Sequence, residues 1–345
     1  MSFSRFKHIR IVFIICTLLF GIVLAGPLVA QGTVEQIKVF GPSLKGNLEG
    51  ESPERDVFVY LPPSYSKAAN KYYPVIYFLH GYGVGAHKYV YDFLHLPDSI
   101  NQAITAGTQE MIVVMPDAYT AYGGSLYSNS PTIGDWETFI AHDLVAYIDA
   151  HYRTIPARAS RGLSGHSMGG YGTLRIGMKY PQVFGALYAM SSCCLINRAP
   201  SLEVVQHENA RMAKGLEPAE ELNFVNIMES FAAAWAPNPQ NPPYYFDWPY
   251  KDDKLQPLIQ DKWITNSPLV FVDQYVPALK TYRAIMLEVG DKDTLAPSNT
   301  QMHDALTRLG VEHGWEVYDG DHLNHIDRRF EDNLLPFFSK HLAGK

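Results

Sequence analysis

Short apolar runs alternate with amphipathic segments along most of the chain. Apolar residues recur at helical spacing over residues 137–152, 170–180 and 327–341. The apolar runs predict strands at residues 56–61, 73–80, 111–115, 161–164, 186–190, 285–289 and 315–318. The run 73–80 (YPVIYFLH) is nearly all apolar, which is typical of a strand buried on both faces. Strands that alternate with helices predict an α/β fold, with a mostly parallel central sheet and helices on both faces.

One segment, about residues 197–281, interrupts this alternation because it contains no clear buried strand. It begins with a helical pattern over residues 219–234 and continues with the proline-rich run 237–243. An aromatic cluster follows, made of Tyr244, Tyr245, Phe246, Trp248 and Tyr250. We expect a cap inserted into a single catalytic domain of residues 31–345. The aromatic cluster either anchors the proline-rich loop or binds substrate, with Trp248 as the candidate contact.

The amino terminus has the pattern of an export signal. Arg5, Lys7 and Arg10 precede an uncharged, mostly apolar run over residues 11–25, and small residues end the segment at Ala30. A basic region, an apolar region and an A-x-A-like site are typical of a secretory signal peptide. A membrane-spanning helix would need about 20 consecutive apolar residues, which is longer than the run over residues 11–25. We therefore expect residues 1–30 to be cleaved and the mature protein to be secreted or periplasmic, without a stable membrane anchor.

Composition and charge exclude several classes of protein. The chain has 345 residues, of which 47% are hydrophobic, so a sizeable core can form and general disorder is excluded. A formal charge of −7 argues against a nucleic-acid binder, because phosphate contacts require a basic surface. Only 3 Cys are present, which excludes a disulfide scaffold. The adjacent pair Cys193-Cys194 is expected to consist of small buried residues, since neighbouring cysteines are poor disulfide partners.

The segment Gly165-His166-Ser167-Met168-Gly169 matches the G-x-S-x-G pattern of a nucleophile elbow. Glycines two positions before and after the serine allow a sharp turn from strand to helix without Cβ clashes. The surrounding sequence fits this geometry, because a predicted strand precedes the motif and a predicted helix follows it. Ser167 is therefore the candidate nucleophile at the carboxyl end of the sheet.

A serine nucleophile needs a histidine base and an orienting carboxylate. In folds that contain a G-x-S-x-G elbow, these residues follow in the chain order Ser, acid, His. Asp293 follows the predicted strand 285–289, and His322 follows the strand 315–318, so both belong at the same sheet edge as Ser167. Asp291 and His325 lie close enough in sequence to remain alternatives to Asp293 and His322.

Backbone amides are expected to complete this site. An oxyanion hole needs two N–H donors, for which the candidates are Met168 and Tyr82, the latter in the loop after the strand 73–80. Tyr127 and Trp136 follow a strand end and are candidate substrate contacts, with core packing as the alternative. The histidines and acids near residue 322 lack a recognisable metal-ligand spacing, and there is no dinucleotide-binding glycine pattern. We expect no metal and no cofactor.

The segment 161–192 (RGLSGHSMGGYGTLRIGMKYPQVFGALYAMSS) resembles the nucleophile region of the esterase D and feruloyl esterase-like family of α/β-hydrolases. The FLHGYG segment, the VVMPDAY strand end and the G-x-x-D at residues 290–293 also match the layout of this family. The resemblance covers most of residues 55–340 and favours Asp293 and His322 over their alternatives.

The resemblance also implies an activity. It implies a secreted serine esterase that forms an acyl-enzyme on a small-molecule or polysaccharide ester, such as a carbohydrate-linked acetyl or feruloyl ester. The alternatives are an acyltransferase with the same triad, similar to a mycolyltransferase, and a non-catalytic secreted binding protein of the same fold.

Overall fold

The computed structural model describes residues 31–218, 220–222 and 224–344. The predicted signal peptide, residues 1–30, lies outside this part of the chain. The central feature is one eight-stranded sheet in the order β1-β2-β4-β3-β5-β6-β7-β8. Its strands are β1 (Thr33–Phe40), β2 (Glu54–Leu61), β3 (Val75–Leu79), β4 (Ile112–Pro116), β5 (Arg161–His166), β6 (Ala186–Met190), β7 (Ala284–Gly290) and β8 (Gly314–Tyr318). Strand β2 runs antiparallel to both of its neighbours, and all other neighbouring strands are parallel.

Helices cover both faces of the sheet. The main ones are α1 (Leu96–Thr105), α2 (Trp136–Thr138, Phe139–Leu144 and Val145–His151 in succession), α3 (Met168–Lys179), α4 (Leu202–Met212), α5 (Ile227–Trp235), α6 (Pro257–Thr265), α7 (Ala296–Arg308) and α8 (Ile326–Arg329, Phe330–Leu334 and Leu335–His341 in succession). Two apolar clusters fill the space between the sheet and these helices, one on each face. The predicted α/β class is confirmed. Within the described residues, no helix is long and apolar enough to cross a membrane.

Strand β1 was not predicted from the sequence, because its segment contains many polar residues. Strand β1 lies at the edge of the sheet and pairs with β2 alone. Most of its side chains are exposed or half-buried, and only Val39 is fully buried. An edge strand of this kind carries little apolar signal, because it packs few side chains into the core.

Between β6 and β7 the chain contributes no strand to the central sheet. The helix predicted over residues 219–234 begins later than expected, with α5 at Ile227–Trp235. Two residues of the aromatic cluster are buried, and the ring centroid of Trp248 lies 5.3 Å from that of Phe246 and 6.3 Å from that of Trp263. In this part of the chain the aromatic side chains pack mainly against one another.

A buried ion-pair network holds α3, the helix that follows Ser167. The Glu137 side chain of α2 is almost fully buried and accepts hydrogen bonds from Arg175 Nε at 2.6 Å and from Lys179 Nζ at 2.9 Å. Burial acts to raise the pKa of Glu137, but the two cations outweigh burial and lower the pKa below its ordinary value of 4.5. Glu137 is therefore ionised at neutral pH and ties α2 to α3.

Replacement of Glu137 by Gln should lower the free energy of unfolding at pH 7 by about 3–5 kcal/mol, because the buried Arg175 guanidinium would lose its counter-charge. The folded-state pKa of Glu137 is lowered, so its stabilisation is present above the ordinary pKa and fades as pH falls through the folded value. The deficit should therefore shrink in acid. Urea unfolding at several pH values measures it, with the exposed Glu203→Gln as control. Equal stability of the two variants at pH 7 would contradict the prediction.

Candidate active site

Ser167 lies in a sharp turn between β5 and α3. Its backbone angles, φ 58° and ψ −113°, fall outside the regions that non-glycine residues ordinarily adopt. The turn packs closely against neighbouring backbone, so the two motif glycines have no room for a side chain. A Cβ on Gly169 would collide with the Leu79 carbonyl oxygen, and a Cβ on Gly165 would lie 2.5 Å from the Gly169 carbonyl carbon. The two motif glycines thus permit the close approach that holds Ser167 at the carboxyl end of the sheet.

The structure brings Ser167, His322 and Asp293 together in one chain of hydrogen bonds. His322 Nδ1 lies 2.8 Å from Asp293 Oδ2, and His322 Nε2 lies 2.9 Å from Ser167 Oγ. An ionised carboxylate can only accept a hydrogen bond, so Nδ1–H donates to Asp293. The lone pair of Nε2 then faces the serine hydroxyl. This is the tautomer in which a histidine can remove a proton from serine.

The surroundings of Asp293 keep its side chain ionised. Burial acts to raise the pKa of Asp293, but hydrogen bonds from His322 and from the backbone N–H of Leu295 outweigh burial and lower it. The Leu295 N–H donates to Asp293 Oδ1 at 2.8 Å, so both carboxylate oxygens have a donor. The carboxylate is thus held charged and in a fixed orientation toward the imidazole.

The two residues that the sequence left as alternatives occupy other positions. Asp291 Oδ1 accepts a hydrogen bond from the Gly320 backbone N–H at 3.0 Å, so this carboxylate braces the loop that carries His322. His325 is exposed and has a left-handed backbone, with φ 65°, immediately before α8. Of the four candidates, Asp293 and His322 are the two that bond to each other.

The loop after β3 lies directly against the serine. A Cβ on Gly81 would sit 3.4 Å from Ser167 Cβ, so the backbone of this loop approaches the nucleophile closely. Among the described residues, the backbone N–H groups of Tyr82 and Met168 have no hydrogen-bond acceptor. Two unpaired N–H groups beside a serine are what an oxyanion hole requires.

His80 braces this loop. His80 Nδ1–H donates to the Gly81 carbonyl at 2.8 Å, and Nε2 accepts from the Ala118 N–H at 2.8 Å. The ring is fully buried, and burial lowers the pKa of His80, although the Asp117 carboxylate opposes the shift. A neutral His80 therefore holds the loop in place through its two ring nitrogens.

Two further residues, His166 and Tyr89, orient the base and were not predicted from the sequence. The His322 carbonyl lies 2.8 Å from His166 Nε2 and can only accept, so His166 donates from Nε2. His166 Nδ1 then accepts from the Tyr89 hydroxyl at 2.8 Å. Burial and the neighbouring His322 lower the pKa of His166 to about 3, which keeps it neutral. The sequence signal for His166 was a histidine at the variable position immediately before the motif serine.

The proposed substrate contacts Tyr127 and Trp136 do not border the site. Both side chains are fully buried, and each donates to a backbone carbonyl: Tyr127 Oη to His80 at 3.1 Å, and Trp136 Nε1 to Ile133 at 2.9 Å. They have no surface to offer a substrate, and their role is packing. Trp248 is 9% exposed and packs against aromatic neighbours, so little of its ring is accessible.

A mostly parallel sheet that presents a serine at a strand-to-helix elbow, hydrogen-bonded to a histidine and an aspartate, is the architecture of the α/β-hydrolases. The chain belongs to the family described as "Putative esterase", whose model matches residues 52–334. The fold and the family match therefore place the chain in an esterase family of the α/β-hydrolase fold.

Relatives and solved structures agree with this class. The chain is 36% identical over 146 residues to Esterase Rv1288 of Mycobacterium tuberculosis, a match that covers 41% of this chain and 30% of that protein. The match therefore spans about a third of the length of this relative.

The structure also resembles a ferulic acid esterase, with a TM-score of 0.65, 24% identity and coverage of 91% of this chain and 99% of the other. It resembles the fluorophosphonate-binding serine hydrolase F of Staphylococcus aureus, with a TM-score of 0.61, 17% identity and coverage of 90% and 99%. A third similar structure is a ferulic acid esterase of Anaeromyces mucronatus in complex with ferulic acid, with a TM-score of 0.56, 19% identity and coverage of 91% and 93%. At these identities the likeness shows a shared fold.

Replacement of His166 by Ala should lower kcat about tenfold with little change in KM, because the buried His322 carbonyl loses its donor and the base loop loosens. Tyr89→Phe keeps the imidazole and should have a smaller effect. Steady-state hydrolysis of p-nitrophenyl acetate measures both, with circular dichroism to verify folding. A folded His166→Ala variant with wild-type kcat would contradict the positioning role.

Proposed function

We propose that this chain is an exported serine esterase in which Ser167, His322 and Asp293 form the catalytic triad. The observation that carries the proposal is the chain of two hydrogen bonds, 2.9 Å and 2.8 Å long, that joins these side chains. It is supported by the sharp turn at Ser167 and by the unpaired amides beside it. Export rests on the sequence pattern of residues 1–30, and removal of that segment is part of the proposal.

In the proposed reaction, His322 Nε2 removes the Ser167 proton as Oγ attacks the ester carbonyl. Asp293 holds the imidazole tautomer and stabilises the imidazolium that forms. The Tyr82 and Met168 amides donate to the tetrahedral oxyanion, and removal of one such donor typically lowers kcat about 10²–10³-fold. His322 then protonates the leaving alcohol, and a water molecule releases the acid from the acyl-enzyme.

We further propose that the acyl group packs against Phe224. This side chain is 53% exposed, and its ring centroid lies 5.7 Å from that of Tyr82, whose amide is a proposed oxyanion donor. The Leu222 N–H donates to the Gly83 carbonyl at 2.7 Å, which fixes this segment to the oxyanion loop. An exposed aromatic ring at this position suits an aromatic acid.

An aromatic acid attached to a carbohydrate is therefore the substrate class that we favour. The fold is shared with ferulic acid esterases, one of them solved with ferulic acid bound. Acetylated carbohydrate is the nearest competing class, and we favour it less because an acetyl group has no ring to stack on Phe224.

The matched pair Asp293→Asn and Asp291→Asn tests the triad. Asp293→Asn should lower kcat on p-nitrophenyl acetate about 10⁴-fold, because an amide favours the wrong imidazole tautomer. Asp291→Asn keeps a Gly320 acceptor and should remain near wild type. The reverse order of the two variants would contradict the assignment. Fluorophosphonate labelling, present in wild type and lost in Ser167→Ala, would establish the nucleophile, whereas an unlabelled wild type would favour a binding protein.

Replacement of Phe224 by Ala should raise KM for methyl ferulate about threefold to tenfold, which corresponds to the loss of one aromatic contact of about 0.5–1.5 kcal/mol. The KM for p-nitrophenyl acetate should change less, since acetate has no ring to stack. Phe40→Ala, an equally exposed phenylalanine on β1, is the control. Equal effects on both esters would contradict an aromatic acyl subsite, and preferential turnover of acetylated xylan would favour the acetyl class.

A further inference from the structure

The adjacent residues Cys193 and Cys194 lie three and four residues beyond the end of β6, on a turn that is bonded to the backbone of Ser167. The backbone N–H of Cys193 donates to the Ser167 carbonyl oxygen at 3.1 Å. Both cysteines are half-buried and neither is in a disulfide. Their sulfur atoms are 2.6 Å apart and face each other. A pair of neighbouring thiols therefore lies on a segment whose backbone is bonded to Ser167.

This arrangement requires an unusual backbone. In an extended chain, successive side chains point to opposite sides, so adjacent cysteines would normally keep their sulfurs apart. Here Cys194 adopts the left-handed region with φ 58°, and Ser191, at the start of the same turn, has φ 43°. Left-handed non-glycine residues are uncommon and cost free energy, and they concentrate at functional sites. The turn places both thiols on the same side.

We propose that Cys193 and Cys194 form a dithiol site that closes to a disulfide by exchange with an external disulfide and, when reduced, chelates trivalent arsenicals. This inference goes beyond the esterase activity and does not depend on it. It also revises the expectation that the pair consists of small buried residues, since both are half-buried. Two sulfur ligands that face each other suit a soft thiophilic centre, which binds them with release of the thiol protons.

The exchange proceeds in two balanced steps. One thiolate of the pair attacks a small disulfide, forms a mixed disulfide and releases one small thiol. The second cysteine sulfur then attacks the bound sulfur of the first, closes the ring and releases the second small thiol. The two protein protons leave with the two released thiols. The small disulfide is the oxidant, and it is reduced as the pair is oxidised.

The order of attack follows from the surroundings of the two thiols. Burial, together with the neighbouring Cys193, raises the pKa of Cys194 well above its ordinary value. Cys194 is therefore poorly ionised, and Cys193 is the attacking sulfur while Cys194 resolves the mixed disulfide. Because the two Cα atoms are about 3.8 Å apart across a trans peptide, shorter than in most disulfides, the closed ring should reopen readily with excess dithiol.

The first experiment treats the reduced full-length protein with oxidised glutathione and maps the cysteines by mass spectrometry after alkylation. The tryptic peptide of residues 180–198 contains both cysteines and separates them from Cys16. We expect this peptide to be two hydrogens lighter, without alkylation and without bound glutathione. Dithiothreitol should restore two alkylation sites. A stable glutathione adduct, or two thiols that stay alkylatable, would overturn the proposal.

The second experiment uses phenylarsine oxide. Its arsenic condenses with both thiols: two As–S bonds form, and the oxide oxygen leaves as water with the two thiol protons. One equivalent should lower hydrolysis of p-nitrophenyl acetate at least tenfold, because arsenic bound to the pair would lie close to Ser167, and ethanedithiol should restore the rate. Cys194→Ser retains one thiol and cannot chelate, so it should resist the same dose. Inhibition of Cys194→Ser equal to that of wild type would overturn chelation.

Two controls keep both experiments decisive. Circular dichroism verifies that Cys194→Ser is folded, and the reciprocal variant Cys193→Ser should also resist the arsenical. If the protein proves to hydrolyse no ester, fluorophosphonate labelling of Ser167 or arsenic content by mass replaces the rate measurement. The peptide mass tests the dithiol proposal without any measurement of ester hydrolysis. Failure of the esterase proposal is therefore distinguishable from failure of the dithiol proposal.

Discussion

The close approach of the Ser167 turn to the end of β3 is the constraint on which the site depends. Gly169 leaves no room for a side chain between α3 and the Leu79 carbonyl. Strand β3 pairs with β5 in parallel up to Leu79–Gly165, so the two strands end together. The chain that continues from β3 forms the oxyanion loop, and the chain that continues from β5 contains Ser167. One steric contact thereby fixes Ser167 relative to the two amides that we propose as donors to the tetrahedral oxyanion.

Two buried neutral histidines fix the loops on either side of this contact. His80 donates to the Gly81 carbonyl in the oxyanion loop, and His166 donates to the His322 carbonyl in the base loop. Burial lowers the pKa of both rings, so they stay uncharged where a charged lysine or arginine would repel the imidazolium of His322. Neutral donors can thus orient the base without opposing its protonation. Removal of one should loosen a loop without altering the charge of the site.

The sequence predicted the α/β class and the interior strands because buried parallel strands leave long apolar runs. It also placed a serine, an acid and a histidine at one sheet edge, since strand ends meet there. Position after β7 did not separate Asp291 from Asp293, and only the family resemblance favoured Asp293. In the structure the Asp291 carboxylate instead accepts a hydrogen bond from the Gly320 N–H. For Tyr127 and Trp136 the sequence left substrate contact and core packing open, because position after a strand does not reveal burial, and both side chains are buried. Strand β1 was missed because an edge strand buries few residues.

The segment that differs most from the rest of the fold is also fixed to the catalytic machinery. The Leu222 N–H bonds the Gly83 carbonyl, and the Gly85 N–H donates to the Glu221 carboxylate at 3.0 Å, so the segment has two attachments to the loop after β3. In both attachments the loop contributes backbone atoms, so the attachments do not depend on its side chains. Side chains such as Phe224 can therefore change without disturbing the oxyanion donors. If the acyl group packs on Phe224 as we propose, substitution in this segment would alter the acyl preference while the geometry at Ser167 is preserved.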